Sequence, residues 1–176
     1  MNEMYDYRNC QSLFGYAYSV HLRSGGVCQL CGAGRNAEPS FDFWRQLTVE
    51  HIIGRKQGGY RNDIKRLISE LLPESDADEQ KELALAIDAA NTITACSFCN
   101  ATTSRYKTNS MRELIEEAIS ESRQPEAIIE RIRAAIRQTL YDKRKNVAWK
   151  LKSVRSQYEK EFLPSLLFPP DHISAF

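Results

Sequence analysis

Two short stretches govern how this chain folds: Val27-Cys28-Gln29-Leu30-Cys31-Gly32 and Cys96-Ser97-Phe98-Cys99-Asn100. A Cys-x-x-Cys turn lets two thiolates face one ion, and two such turns complete a tetrahedral zinc site. Gly32 follows the first pair, where a small residue lets the chain turn tightly beneath the metal. We therefore predict one structural Zn²⁺ bound by Cys28, Cys31, Cys96 and Cys99, with 64 residues enclosed between the two pairs.

The cysteines could also serve three roles that do not involve zinc. A thioredoxin-like dithiol needs one Cys-x-x-Cys motif inside a βαβ unit, which this sequence does not indicate. A disulfide framework conflicts with the cytoplasmic location that we expect from the rest of the sequence. A buried apolar thiol is a fair interpretation of Cys10 alone, which lies outside both motifs and has no assigned role.

Length and composition narrow the class of protein. At 176 residues the chain has the size of one ordinary domain, and 42% apolar with 27% charged residues excludes wholesale disorder. No apolar run reaches the roughly 20 residues that cross a bilayer, and residues 1–10 lack the basic-then-apolar layout of a signal peptide. We therefore expect a cytoplasmic protein that has no membrane contact.

The formal net charge of +1 hides a strongly uneven distribution of charge. Residues 70–82 sum to −5, whereas residues 131–155 contain nine basic residues and one acid and sum to +8. Such a basic helical tract is either a solvated helix face or a track for the DNA backbone. The apolar stripe of this helix could also form a dimer interface between two copies of the chain.

Between the two cysteine motifs, the sequence predicts an alternation of strands and helices. Residues 47–53 are mostly β-branched and apolar, as in a strand, and carry Glu50 and His51 side by side. A basic, glycine-rich loop follows at residues 54–60. Further along the chain the pattern predicts helices at 62–72 and 76–90 separated by Pro73, a short strand at 91–96, and a helix from Cys99 to about Lys107.

This series of motifs over about residues 23–107 resembles the HNH endonuclease family. The resemblance combines a first Cys-x-x-Cys, an acid–histidine pair on a strand, a basic Gly-Gly loop, and an asparagine shortly before Cys-x-x-Cys-Asn. It implies an α+β fold with a small ββα-metal core stapled by the four-cysteine zinc site and with mostly α-helical flanks. The expected regions are an N-terminal helical flank at 1–22, a nuclease core at 23–107 with a helical insertion at 61–90, and a C-terminal helical region at 108–176.

The resemblance also implies a role for individual residues. Glu50 matches the acidic metal ligand of the family, and Asn100 matches the His or Asn that also ligates the catalytic Mg²⁺ or Mn²⁺. His51 matches the general base, and Asn91 matches the asparagine that pins the loop and positions that base. The implied activity is metal-dependent hydrolysis of DNA, expected to be double-stranded, in restriction or phage defence.

The sequence departs from the family pattern at several positions. Glu50 replaces the more common Asp, the proline usual shortly after the histidine is missing, and Thr103 stands where a lysine is usual. Elementary chemistry still suits the assignment, because oxygen ligands suit Mg²⁺ and a neutral imidazole can take a proton from water. Adjacent strand residues point to opposite faces, so Glu50 and His51 would serve one phosphate only at a bend or at the end of the strand.

The remaining predictions concern DNA contact and the C-terminal third. Residues 110–122 and a long stretch from Pro125 to Phe162 have apolar residues at helical spacing. Trp149 could stack on a base or pack, and a homodimer could form through these helices. The predicted DNA-contacting residues are Arg55, Lys56, Arg105, Lys107, Lys143, Arg144 and Lys145. His21 is assigned to an N-terminal helix, and His172 receives no role.

Two alternatives to a nuclease remain open at this point. The chain could be a non-catalytic, zinc-stabilised module that binds nucleic acid, or a nuclease subunit that needs a partner.

Overall fold

The computed structural model describes residues 6–36, 38, 40–103 and 108–167. It is α+β and mostly helical, with a small antiparallel sheet of two strands, which confirms the predicted α+β class. The ββα-metal core within it stays a prediction. In chain order the elements are α1 (Tyr16–Arg23), α2 (Phe41–Trp44), β1 (Leu47–His51), α3 (Arg61–Leu71), α4 (Ala77–Asn91), β2 (Thr92–Cys96), α5 (Ser97–Thr103), α6 (Met111–Glu121), α7 (Pro125–Gln157) and α8 (Leu163–Leu167). Short 3₁₀ turns lie at Tyr7–Asn9 and Arg55–Gln57, and a π-helical turn at Tyr158–Phe162 joins α7 to α8.

The two strands are shorter than the sequence suggests, and the difference concerns Asn91. β1 ends at His51 because the next two amide groups bond to Asn91 instead of to a strand: Ile52 N–H donates to its carbonyl at 2.9 Å and Ile53 N–H to its Oδ1 at 2.7 Å. Asn91 itself is the last residue of α4, not the first residue of β2. In the sheet, His51 pairs with Thr92. His51 therefore lies at the very end of the sheet.

The main core lies between α3, α4, α6 and α7. Each helix contributes apolar residues at three- and four-residue spacing, which places them on one face. The side chains of Ile52 and Ile53 insert into the same core directly after β1. The predicted insertion and the predicted C-terminal region therefore share one hydrophobic core. Its buried members are Ile52, Ile53, Ile64, Leu67, Ile68, Leu72, Leu83, Ala84, Ile87, Met111, Leu114, Ile115, Ala118, Ile128, Ile132 and Ile136.

Local capping explains where the helices begin. The Asp76 side chain accepts hydrogen bonds from the first turn of α4, and Ser110 forms a reciprocal capping box with Glu113 at the start of α6. Pro125 occupies the first turn of α7, where its missing N–H costs nothing.

A second, smaller core surrounds the cysteines. Cys28, Leu30, Ala95 and Cys99 are buried together with Val147 of α7, so this long helix crosses both cores. Among the side chains described after Val147, none is buried, and Trp149 is 68% exposed. Trp149 therefore does not pack in the core.

Despite its 33 residues, α7 is too polar for a membrane span, and within the described ranges no helix has both the length and the apolar character to cross a bilayer.

Candidate functional site

The four paired cysteines converge on one point. The Sγ atoms of Cys28, Cys31, Cys96 and Cys99 all lie within 4.8 Å of one another. A tetrahedral zinc site with Zn–S distances of about 2.3 Å places its sulfur atoms about 3.8 Å apart. The structure thus confirms a cluster of four cysteines that could bind a metal such as zinc, and its all-sulfur donor set fits that ion.

Backbone hydrogen bonds shape the first cysteine turn. Gly32 N–H donates to the Cys28 carbonyl at 2.9 Å, and Cys28 N–H donates to the Ala33 carbonyl at 3.0 Å. Gly32 has a φ of +79°, a conformation that residues with a Cβ adopt at a cost. Gln29 N–H donates to the Thr94 carbonyl at 2.8 Å, which attaches this turn to β2. The first pair of thiols is therefore held beside the second by β2 itself.

The closeness of the thiols changes their acidity. Hydrogen bonds from Cys31, Cys96 and Cys99 lower the pKa of Cys28 well below its ordinary value. The same thiol–thiol hydrogen bonds raise the pKa of Cys31 and Cys99, so the cluster by itself favours a thiolate at Cys28 but not at all four positions. Because zinc binds the thiolate and not the thiol, loading of a metal would release protons from this cluster.

His51 lies at the end of β1 and lines an open pocket. Its ring is stacked on the ring of Tyr60, with centroids 4.2 Å apart and planes 26° apart, and the Arg55 guanidinium lies 5.8 Å from the Tyr60 centroid. Burial lowers the pKa of His51 below its ordinary 6.5. The negative charge of Asp88 opposes this shift, whereas the positive charges of Lys143 and Arg61 add to it. The pocket has a volume of about 590 Å³ and is lined by Tyr16, His51, Arg55, Tyr60, Arg61, Asn62 and Asp63. The lowered pKa favours the neutral imidazole, which is the form that a general base requires.

Asn91 ties together the loop that follows His51. Its buried amide accepts from Ile53 N–H at 2.7 Å and donates to the Ile53 and Gly59 carbonyls at 3.0 and 2.8 Å. A Cβ on Gly59 would lie 1.8 Å from the Ile53 carbonyl oxygen, so only glycine permits this close approach. The tie between Asn91 and the loop is present as predicted, and its importance for catalysis stays a prediction.

Sequence analysis missed a second group of residues in the His51 pocket. Arg61 donates to the buried carboxylate of Asp88 through Nε at 2.9 Å and forms an ion pair with it through Nη2 at 2.8 Å. The Tyr16 hydroxyl donates to the same carboxylate at 3.1 and 3.2 Å, and the Tyr16 ring lies 4.5 Å from the Arg61 guanidinium. The sequence held one indication of this group, because Asp88 is an acid on a helix face that is otherwise mostly apolar.

Glu50 faces the other side of β1, as strand alternation requires. It is only 6% exposed, and its Oε1 lies 2.6 Å from the ammonium of Lys143 and 3.1 Å from the hydroxyl of Thr103. Asn100 is nearby on α5, where its amide donates to the Thr48 hydroxyl at 2.9 Å. With an ammonium group on its oxygen, Glu50 does not fit a bound Mg²⁺ or Mn²⁺ in this arrangement.

The predicted DNA-contacting residues differ in their surroundings. Arg55, Lys56 and Lys145 are exposed, and Arg144 is exposed while its Nε donates to the Gln29 carbonyl at 2.7 Å. Lys143 is 2% exposed, and its ammonium forms an ion pair with Glu50. The prediction that Lys143 contacts DNA is therefore wrong. Arg105, Lys107 and His172 lie outside the described residues.

Acidic partners neutralise part of the positive charge of the basic tract at 131–155. Arg131 pairs with Glu117 and Glu121 of α6, and Arg133 pairs with Glu130 one turn away. Arg155 pairs with Glu159 in the same way. The tract is therefore not a continuous positive face, and its exposed charge includes Arg144, Lys145 and Lys152.

Comparisons of the chain with protein-family models, with curated proteins and with solved structures found no match. The function must be argued from the residues described above.

Proposed function

We propose that this chain is an HNH-type endonuclease that hydrolyses DNA phosphodiester bonds with His51 as its general base. The observation that carries the proposal is the pocket itself, where a neutral imidazole stands beside two arginines at the open end of the sheet.

The chemistry of the pocket matches two requirements of the reaction. Hydrolysis needs a base that deprotonates the attacking water, and it needs positive charge beside the phosphate. His51 supplies the base, and Arg55 and Arg61 supply the positive charge. Asp88 and Tyr16 hold Arg61 in place, so its guanidinium needs little reorganisation when a phosphate arrives.

The sequence implies two metals, and the proposal gives them different roles. Four thiolates leave no open position on a zinc ion, so zinc is assigned a purely structural role that fastens β2 and α5 to the first cysteine turn. A catalytic Mg²⁺ or Mn²⁺ follows from the HNH resemblance alone, and the role given to His51 does not depend on it.

The expected substrate is double-stranded DNA, and the resemblance suggests a setting in restriction or phage defence. Arg55 and Lys56 would hold the backbone beside the cleaved bond, while Arg144 and Lys145 would extend the contact along α7. A homodimer through the C-terminal helices would place two such sites on one duplex and permit cleavage of both strands.

A plasmid-nicking assay tests the proposal. Supercoiled plasmid is incubated with wild type, His51→Ala and His172→Ala, with Mg²⁺, Mn²⁺ or EDTA present. Loss of the base should reduce cleavage about 100-fold or more, while DNA affinity and zinc content remain at the wild-type level. His172→Ala is the matched histidine control and should cleave like wild type. Undiminished cleavage by His51→Ala would overturn the assignment.

A second candidate function is favoured by the ion pair between Glu50 and Lys143, because it engages the residue that matches the metal ligand. The chain would then be a zinc-stabilised module that binds nucleic acid without cutting it. This alternative predicts salt-dependent DNA binding together with no cleavage under any metal condition.

A further inference from the structure

The ion pair of Glu50 and Lys143 joins two elements that are distant in sequence. Lys143 projects from the middle of α7 and reaches Oε1 of Glu50 on β1 at 2.6 Å, while its ammonium also lies 3.4 Å from the carbonyl of His51. The side chains of Lys143 and Glu50 are 3% and 8% exposed. The carboxylate that matches the metal ligand is therefore covered by α7 and neutralised by this helix.

A buried carboxylate requires a cation beside it, because an unpaired charge in the protein interior is strongly unfavourable. An ammonium group and a divalent ion can both meet this requirement, but they cannot occupy the same oxygen at one time. In the described residues, the cation on Glu50 is the Lys143 ammonium.

We propose that Lys143 is a resident cation at the position that the HNH resemblance gives to the catalytic ion, and that Lys143 and a divalent ion compete for Glu50. The inference rests on the proposed function for the identity of that position. It adds that α7 controls access to Glu50, so the lysine and the metal exclude each other.

Metal binding to the zinc-loaded protein tests the competition without any cleavage assay. Mn²⁺ is titrated by calorimetry and by electron paramagnetic resonance into wild type, Lys143→Met and Lys143→Gln. Removal of the ammonium should lower the dissociation constant for Mn²⁺ at least tenfold, and Mn²⁺ should then raise the melting temperature of the variant but not that of wild type. Lys143→Gln retains a donor for Glu50 and provides the measurement if Lys143→Met does not fold.

Two controls identify the site. The double variant Glu50→Gln/Lys143→Met should lose the added Mn²⁺ binding, because its carboxylate is gone. Lys145→Met removes an exposed lysine two residues away on α7 and should bind Mn²⁺ like wild type.

The competition is overturned if wild type and both Lys143 variants bind Mn²⁺ equally, or if neither variant binds it. This outcome is separate from failure of the proposed function. Tighter Mn²⁺ binding by Lys143→Met than by wild type, with no DNA cleavage by wild type under any metal condition, would reject the nuclease and retain the competition. Cleavage that depends on His51, without competition for Mn²⁺, would do the reverse.

Discussion

The imidazole of His51 and the phenol ring of Tyr60 lie in a near-parallel stack, with their centroids 4.2 Å apart. His51 closes β1, and Tyr60 immediately precedes α3, so the stack spans the basic loop between these two elements. One face of the imidazole is thereby shielded from water, and the orientation of the ring is restricted. The stack belongs to the desolvation that lowers the pKa of His51.

Removal of the Tyr60 ring should leave the His51 imidazole less restricted in its orientation. Tyr60→Ala is expected to reduce cleavage about threefold to tenfold, because a stacked aromatic pair contributes about 0.5–1.5 kcal/mol. The same change should raise the pKa of His51 toward 6.5, measured by NMR titration of the ring protons. Tyr60→Phe keeps the ring and should resemble wild type in both measurements. Equal losses in the two variants would mean that the hydroxyl, and not the stack, matters.

The lowered pKa of His51 predicts how stability depends on pH. Between the lowered value and the ordinary 6.5, the unfolded chain binds a proton at this residue that the folded chain does not. The free energy of unfolding should therefore fall as the pH drops below 6.5, and the contribution of His51 to this pH dependence should vanish above it. His51→Gln removes this difference, so urea unfolding at several values between about pH 5 and 8 should give a shallower fall. An unchanged pH dependence would contradict the assigned direction of the pKa shift.

A double-mutant cycle on Glu50 and Lys143 should reveal strong coupling. Lys143→Met leaves a buried carboxylate without its cation and should lower the free energy of unfolding by about 3–5 kcal/mol. The double variant Glu50→Met/Lys143→Met replaces the pair by apolar side chains and should recover most of this loss. Urea unfolding without divalent ions provides the measurement. Additive losses would show that the two side chains do not depend on each other.

Metal analysis should find one zinc per chain, bound by the two cysteine pairs. Cys99→Ser should abolish stoichiometric zinc and lower the melting temperature strongly, because structural zinc contributes about 10–16 kcal/mol in zinc-finger peptides. Cys10→Ser is the matched control: Cys10 lies outside the cluster, with its Sγ 3.6 Å from the Ser12 hydroxyl, and this variant should retain full zinc. A purified wild type without zinc would contradict the four-cysteine site.

Features that depend on short stretches of sequence were predictable. The Cys-x-x-Cys spacing already brings two thiols to one ion, and apolar periodicity with capping residues such as Ser110 identified α3, α4 and α6 to within one residue at each end. The long stretch predicted from Pro125 to Phe162 is α-helical only as far as Gln157. The end of β1 was misjudged, because residues 52 and 53 are as β-branched and apolar as a strand. Their amide groups are instead bonded by Asn91, 38 positions away from Ile53.

The amino-acid sequence was sufficient to specify the members of the cysteine cluster, the helical nature of most of the chain and the position of His51 on a strand. Only tertiary packing determined which charged residues form ion pairs. It paired Lys143 with Glu50 across 93 positions, paired Asp88 with Arg61 beside His51, and divided the basic tract among acidic partners. The physical reason is that periodicity and metal geometry act over a few residues, whereas a buried charge takes its partner from whichever element packs against it. On this chain that element is α7, which brings Lys143 to the carboxylate of Glu50.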